Sequence, residues 1–548
     1  MNLKVKQEKI ISVCVTGAVF ALAAFLCRPV FYLNDDVTMR SILSGSYTGV
    51  PDGHVVYMKY PLTGMLSLLY RLTDKLPWLE LFFAGCLIWA VAEMVSVGKG
   101  KEKEMFWELL PGILFVLPFF FYMHYTIIAA VLAGTAAFLL CAGQKVKPAV
   151  FWLVAWMIRS QVAYLVLPFL GVALLWRMTG VKKIDLKSEA AFLLKTGGIA
   201  LAGLLLCVGV NSLAYANSDW KEYLAYNDAR TELFDYTNFH STDYYSENYE
   251  MYGMTEREFQ VLDTYNTMLD ASINKEKLQD ISERIHRWMV QEREEAAWIR
   301  ECVKQYYYQF RYPDSFYVIL WIGMFGILMF LLVLARNWRG IFLMVCLGAG
   351  RSMIWIYLIY QGRFPERIIV SLYVIELLLL AGMLKTLNGD RRYVVLKAVF
   401  VLGAACLLTE QTKAEIPKLR AQAGVQAEWD VLKEYCRDNV ENLYLLDVFS
   451  AVEYGGFQYE TDCGNLMLAG GWMSASPLAG QRFADRGAID GGQALYDDPQ
   501  TIFLADKTVD VTWLEKYLTE RFGACMLQPG EEIVCSEDKV FVEYQVVK

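Results

Sequence analysis

Charge is what this 548-residue chain has least of. Asp, Glu, Lys and Arg make up 20% of it and fall in clusters, while 56% of its residues are hydrophobic. That share is above the usual for a soluble globular protein and excludes a chain that is soluble throughout. A positive balance is missing too. The formal net charge is −8, and from Gln411 to Lys548 there are 12 Lys and Arg against 23 Asp and Glu, a net of −11. Such a tail disfavours nucleic acid or an anionic membrane face as its partner. The twelve cysteines show no metal-binding spacing. Cys14, Cys27, Cys86, Cys141, Cys207, Cys346 and Cys406 lie in apolar runs and read as small core residues. Cys436, Cys463, Cys525 and Cys535 lie in the tail, where an extracytoplasmic location would permit one disulfide, with Cys525 to Cys535 favoured by proximity. Internal repeats and low-complexity tracts are absent. No strong export cleavage site is present either: Ala21-Leu22-Ala23 mimics one, but apolar sequence continues past it, so the first segment reads as an uncleaved anchor.

Long apolar runs are there in number. A spanning helix needs about 20 apolar residues. Candidates fall at 9–27, 78–98, 106–122, 125–143, 149–160, 162–178, 191–213, 315–335, 340–360, 367–386 and 393–409. The expectation is an α-helical polytopic membrane protein of about eleven spans, the fifth short and dependent on packing or a thin bilayer. Lys and Arg set the orientation. Lys4, Lys6 and Lys9 precede the first span. Lys99, Lys101 and Lys103, then Lys145 and Lys147, then Lys182, Lys183 and Lys187, then Arg336 and Arg339, then Arg391, Arg392 and Lys397 follow the even-numbered spans. These loops come out cytoplasmic. The N-terminus is then inside, and the first loop (28–77), the large loop (214–314) and the tail (411–548) are outside, with 1–410 as the membrane domain.

The large loop is too long for a mere connection. Asn227, Arg230, Asp235 and Tyr236 near its start are residue types that hydrogen-bond to and stack on sugars, and equally types that line a solvated loop. Leu278, Ile281, Ile285, Trp288 and Met289 recur at helical spacing among charges and predict an amphipathic helix lying over the membrane domain as part of a lid. Tyr306-Tyr307-Tyr308 and Tyr312 read as an interfacial aromatic belt. In the tail, NLYLLDV, TIFLADK and EDKVFVEYQVV predict strands, AEWDVLKEYCRD and TWLEKYLTERFG predict helices, and Gly470-Gly471 and Gly491-Gly492 mark turns. This is a small α/β domain with no nucleophile elbow, phosphate loop or metal cluster.

The stretch Arg28 to Leu66, RPVFYLNDDVTMRSILSGSYTGVPDGHVVYMKYPLTGML, holds most of the polar residues whose spacing suggests chemistry. Asn34-Asp35-Asp36 follow the first span, with Arg40, Gly45, His54 and Lys59-Tyr60-Pro61-Leu62 behind them. Asn34 suits a helix N-cap, and two carboxylates in a first turn favour the helix dipole. The same carboxylates beside a bilayer are costly unless solvated or used, and an Asp can act as the general base that turns a sugar hydroxyl into a nucleophile. Helix nine ends in IYQGRFPER. Its Arg363 and Arg367 either snorkel at the interface or grip a phosphate with forked hydrogen bonds. Arg159 is a second phosphate candidate. His124, a lone histidine, is a third that more simply plays a structural part.

Two acidic residues after the first span, a Gly-containing turn and then Lys-x-Pro-Leu resemble the GT-C superfamily of membrane glycosyltransferases. Users of polyprenyl-phosphate sugars in that group carry an Asp-Glu pair and a Lys-Pro-Pro-Leu-like segment in this loop; here Asp36 stands for Glu and Tyr60 for the first Pro. The resemblance implies a GT-C-like fold, a polyprenyl-phosphate sugar donor, and an extracytoplasmic glycan, lipid or protein acceptor, with inversion at the sugar. It implies Asp35 as the base, Asp36 as the residue that orients Asp35 or the acceptor, since neighbours on a helix point apart and cannot do the same job, and Lys59, Arg363, Arg367 and Arg159 on the phosphate. Arg40, His54, His124, Asn227, Arg230, Asp235 and Tyr236 would serve the acceptor or support the site. Two carboxylates can also hold a divalent cation such as Mg or Mn, which some enzymes of this superfamily use. The implied location is a bacterial cell membrane, in envelope glycan modification. Rival readings are a glycolipid or polysaccharide flippase, and a non-catalytic sensor or assembly protein using the acidic tail.

Overall fold

The computed structural model describes residues 3–97, 102–179, 185–237, 239, 247–311, 316–362, 364–387, 391–451 and 463–548. The chain is mostly helical, 73% of it, with a small sheet near the C-terminus. Among the described residues seven helices are long and apolar enough to cross a membrane: Lys6–Cys27, Trp78–Ser96, Ser160–Thr179, Lys187–Ala214, Phe316–Leu334, Trp338–Tyr360 and Glu366–Thr386. They mark the chain as a membrane protein. Three further apolar helices, Leu109–Phe121, Tyr125–Cys141 and Lys147–Ile158, are shorter.

Tyr125–Cys141 is the hub of the bundle. All of its residues are buried, as expected of a helix that is apolar on every face. It packs against Glu366–Thr386 and Lys147–Ile158. The latter is only 12 residues long, about 18 Å at the helical rise. It stops where Arg159 turns extended (φ −150°, ψ 101°), and a new helix starts at Ser160. The last apolar segment, around 393–409, is not a separate rod. It runs without interruption through Pro417 into the tail as one helix, Arg391–Asp438, so the expected division at 410/411 falls inside a helix.

Two short strands organise the end of the bundle where the acidic stretch lies. Val30–Phe31 (β1) pairs in parallel with Tyr122–Met123 (β2). β1 leads into the helix Asn34–Ser44, and β2 leads into Tyr125–Cys141. Asn34 is not the cap of its helix: it is the first helical residue, and Leu33 at the cap position makes no side-chain bond. The first turn carries the two acidic residues, Asp35 and Asp36. Its far end is closed by Gly45 (φ +90°), whose N–H donates to the Ser41 and Ile42 carbonyls. A Cβ there would lie 2.5 Å from the Pro51 nitrogen, so only glycine fits this turn.

The amphipathic helix of the large loop forms, as Lys275–Glu292, with Leu278, Ile281 and Ile285 buried. It covers the helix Ser218–Tyr236 rather than the bundle itself. Within the tail, Leu443–Leu446 (β3), Leu466–Leu468 (β4), Thr501–Asp506 (β5), Met526–Val534 (β6) and Val540–Val547 (β7) form one sheet in the order β4-β3-β5-β7-β6. β3 is parallel to both β4 and β5, and β7 is antiparallel to both β5 and β6. The three strands read from sequence are β3, β5 and β7; β4 and β6 are additional. Gly491-Gly492 open the helix Gly491–Asp497 rather than a turn. Cys525 and Cys535 flank β6 and are free. A strand of that length holds them roughly 30 Å apart, which rules out the expected disulfide, since bridged Cα atoms lie within about 7 Å.

Tail and large loop are fastened together. Tyr517 Oη and Arg521 Nη1 donate to the Leu269 carbonyl at 2.6 and 2.7 Å. Asn266 Nδ2 donates to Asp447 Oδ1 at 2.8 Å, and Tyr223 Oη to the Trp472 carbonyl at 2.7 Å. The Gly470 backbone passes so close to Tyr265 that a Cβ would lie 1.8 Å from its carbonyl oxygen. Glycine is the residue that allows this approach.

Candidate active site

Where the bundle, the acidic stretch, the large loop and the tail meet, they enclose a cavity of about 280 Å³. That is near the lower end of the range for small-molecule sites, about 300–1,000 Å³. Each of the four parts supplies a wall. Asn34, Asp35, Tyr47 and Tyr57 come from the first loop; Tyr125, Arg159 and Arg367 from the bundle; Arg230, Asp235 and Tyr265 from the large loop; Trp429, Lys433 and Trp472 from the tail.

Asp35 and Asp36 part company, because consecutive helical residues point about 100° apart. Asp35 faces the cavity. Asp36 turns inward and is fully buried against His124, itself 0% exposed. His124 Nδ1 is 2.8 Å from Asp36 Oδ2, and the Tyr125 N–H donates to Asp36 Oδ1 at 3.1 Å. Both oxygens of Asp36 are thus occupied, and the two carboxylates do not converge on one point. Among the described residues no group of three His, Cys, Asp or Glu side chains is placed to hold a metal ion. Burial, and then the charge of Asp36, push the Asp35 carboxyl above its ordinary range; Arg367, His124 and Arg230 pull the other way. Desolvation wins, so Asp35 is a stronger base than a surface carboxylate.

Three guanidinium groups enter the same space. Arg230 is buried, with Nε donating to Asn227 Oδ1 at 3.2 Å and its other nitrogens bonded to Tyr265 Oη and Thr231 Oγ1. Arg159, projecting from the break between its two helices, lies over the rings of Tyr57 and Tyr125, each at 5.2 Å. Arg367 opens the helix Glu366–Thr386. With Lys433, four basic side chains face the cavity against two acidic ones, Asp35 and Asp235. A chamber with this excess favours an anion. Aromatic faces complete it: Tyr57 leans against Trp472 at 5.0 Å and stacks on Tyr125 at 5.9 Å.

Other residues singled out from sequence lie elsewhere. Lys59 is outside the lining, 5.7 Å over the Trp156 ring. Burial and the charge of Arg159 lower its pKa, with Asp228 opposing. Arg40 is buried in an ion pair with Glu80 at 2.9 Å. His54 stacks on Trp220 at 4.3 Å, with Nδ1 2.7 Å from Asp52 Oδ1 and Nε2 3.1 Å from the Ala214 carbonyl. It ties the first loop to the large loop. Asn227 acts through Arg230, and Tyr236 is exposed and does not line the cavity. Arg363 lies outside the described residues. Sequence reading missed Tyr57, Tyr125, Tyr265, Lys433 and Trp472; they come from elements far apart in the chain, and no local spacing joins them.

The chain matches no family model, no curated protein and no solved structure.

Proposed function

We propose that this protein is a membrane glycosyltransferase of GT-C type, moving a sugar from a polyprenyl-phosphate donor to an acceptor hydroxyl with inversion. The observation that carries the reading is the convergence of one desolvated carboxylate, Asp35, with Arg159, Arg230 and Arg367 in one aromatic-walled cavity. Asp35 takes the proton from the acceptor hydroxyl as its oxygen attacks the anomeric carbon. The bond from that carbon to the phosphate oxygen breaks on the opposite face, and polyprenyl phosphate leaves. Arg367, Arg159 and Arg230 stabilise the charge that grows on the phosphate. Asp36 and His124 hold the first turn of the helix so that Asp35 keeps its aim. Tyr57 and Trp472 offer faces for sugar stacking.

The topology that goes with this reading has eleven spans, the N-terminus in the cytoplasm and the large loop and tail outside. It rests on the alternation of Lys and Arg between loops. Helices at all eleven apolar segments support it. The cavity then opens at the outer face of a cell membrane, where a lipid-linked donor and an envelope acceptor meet.

A flippase would also need charge within the bundle, and there is such a pair. Arg351 Nε donates to Glu376 Oε2 at 2.7 Å, and Trp355 Nε1 to Glu376 Oε1 at 2.9 Å. Both Glu376 oxygens are engaged, and the guanidinium lies over Trp321 and Trp355 at 4.3 and 4.4 Å. This is a clasp between two helices, which favours the transferase. The test is purified protein with a radiolabelled polyprenyl-phosphate sugar and a panel of acceptors. Release of polyprenyl phosphate with label on an acceptor supports the reading; movement of the lipid across vesicles with its glycosidic bond intact supports the flippase.

A further inference from the structure

The tail holds a pair of thiols that the sequence does not pair. Cys436 lies near the end of the long helix and is fully buried. Cys463 precedes β4, packs against the same small core cluster and also lines the cavity. Asn465 fixes one against the other. Its Nδ2 donates to the carbonyls of Cys436, Asn439 and Asn442 at 2.7, 3.0 and 3.1 Å, closing the helix end. Its Oδ1 accepts from Cys463 Sγ at 3.0 Å. The two cysteines thus sit in one core cluster, joined through the Asn465 side chain.

We propose that Cys436 and Cys463 form a disulfide that pins a wall of the cavity to the long helix. The proposal rests on the extracytoplasmic placement of the tail put forward above, because a structural disulfide persists in an oxidising compartment. The co-reactant is a thiol–disulfide oxidoreductase of that compartment. Cys463 is the more exposed of the two. The Cys436 thiol beside it, with Arg437 and Lys433 nearby, holds its thiol below the usual range against the effect of burial. Its thiolate attacks the disulfide of the oxidoreductase, giving a mixed disulfide and releasing one thiolate. Cys436, as its thiolate, then attacks Cys463 Sγ. The Cys436–Cys463 bond forms, the second thiolate of the oxidoreductase leaves, and two protons and two electrons have passed to that enzyme. The closed loop contains β3, Val448 and Ala451, of which Leu446, Val448 and Ala451 line the cavity.

The test uses the full chain in its native membranes, quenched in acid, denatured, and alkylated with one maleimide before reduction and a second after it. Peptide mass spectrometry should find Cys436 and Cys463 carrying only the second label, and recover them as one linked peptide when reduction is omitted. In Cys436→Ser, Cys463 should take the first label. First label on both thiols of the unaltered chain, or a peptide linking Cys436 to Cys535, would overturn the pairing. A parallel sample of Lys548→Cys in intact cells, probed with an impermeant maleimide, reports the compartment. Labelling there with reduced Cys436 and Cys463 sinks the disulfide and leaves the topology standing; protection there with reduced thiols sinks both.

Discussion

Asp36 and His124 are 88 residues apart in sequence and 2.8 Å apart in the fold. The parallel pairing of β1 with β2 brings them together, since each strand leads directly into the element that carries one of them. His124→Ala would leave a fully buried carboxylate with the Tyr125 N–H as its remaining bond. Removing one partner of a buried charged hydrogen bond costs about 1–3 kcal/mol or more. Thermal unfolding in detergent should therefore show a clear loss in His124→Ala and a smaller one in Asp36→Asn, where an amide can still accept from Tyr125. An unchanged unfolding temperature in His124→Ala would mean the pair does not hold the helix start.

The pH dependence follows from the environment of Asp35. Its folded-state pKa is raised by burial, so protons are held to higher pH than in the unfolded chain. As the proposed base, Asp35 must be ionised for transfer. The transfer rate should rise with pH through an inflection above the ordinary carboxyl value of 3.8, and Asp35→Asn should abolish that limb. The stability effect has the opposite sign: ionising a desolvated carboxylate opposes folding as pH rises. The free Asp35→Asn protein should accordingly unfold at the same or a higher temperature than the unaltered chain near neutral pH.

Arg367→Ala, Arg230→Ala and Arg159→Ala should each weaken use of the donor more than use of the acceptor, read as a rise in donor KM or a fall in donor kcat/KM. Lysine at 367 should restore part of the loss, because it keeps the charge without the planar fork. At 230 lysine should restore less, since Arg230 spreads its nitrogens over Asn227, Tyr265 and Thr231. Equal effects on donor and acceptor would remove these residues from the phosphate.

The apolar segments were legible because a bilayer demands length and hydrophobicity, and both are local properties of sequence. So was the divergence of Asp35 from Asp36, which helical geometry dictates. The short break at Arg159 was visible as a short span, but its direction into the cavity depends on Tyr57 and Tyr125, which no spacing connects to it. The tail's contribution was hidden for a similar reason. Lys433 and Trp472 reach the cavity only because the tail docks on the large loop through Leu269, Asn266 and Tyr223. Gly470 carried a trace of this, yet a glycine pair reads as a turn unless the carbonyl it must approach is known. The opposite error arose at Cys525 and Cys535, where closeness in sequence is undone by the extended strand between them.

The most direct test is single-turnover transfer by purified Asp35→Asn, with a polyprenyl-phosphate sugar donor and an acceptor that the unaltered protein uses. Removing a general base costs at least about 100-fold. The rate should fall by that much or more, while donor binding is retained and the unfolding temperature does not fall. Transfer by Asp35→Asn at the rate of the unaltered chain would contradict the assignment of Asp35 as the base.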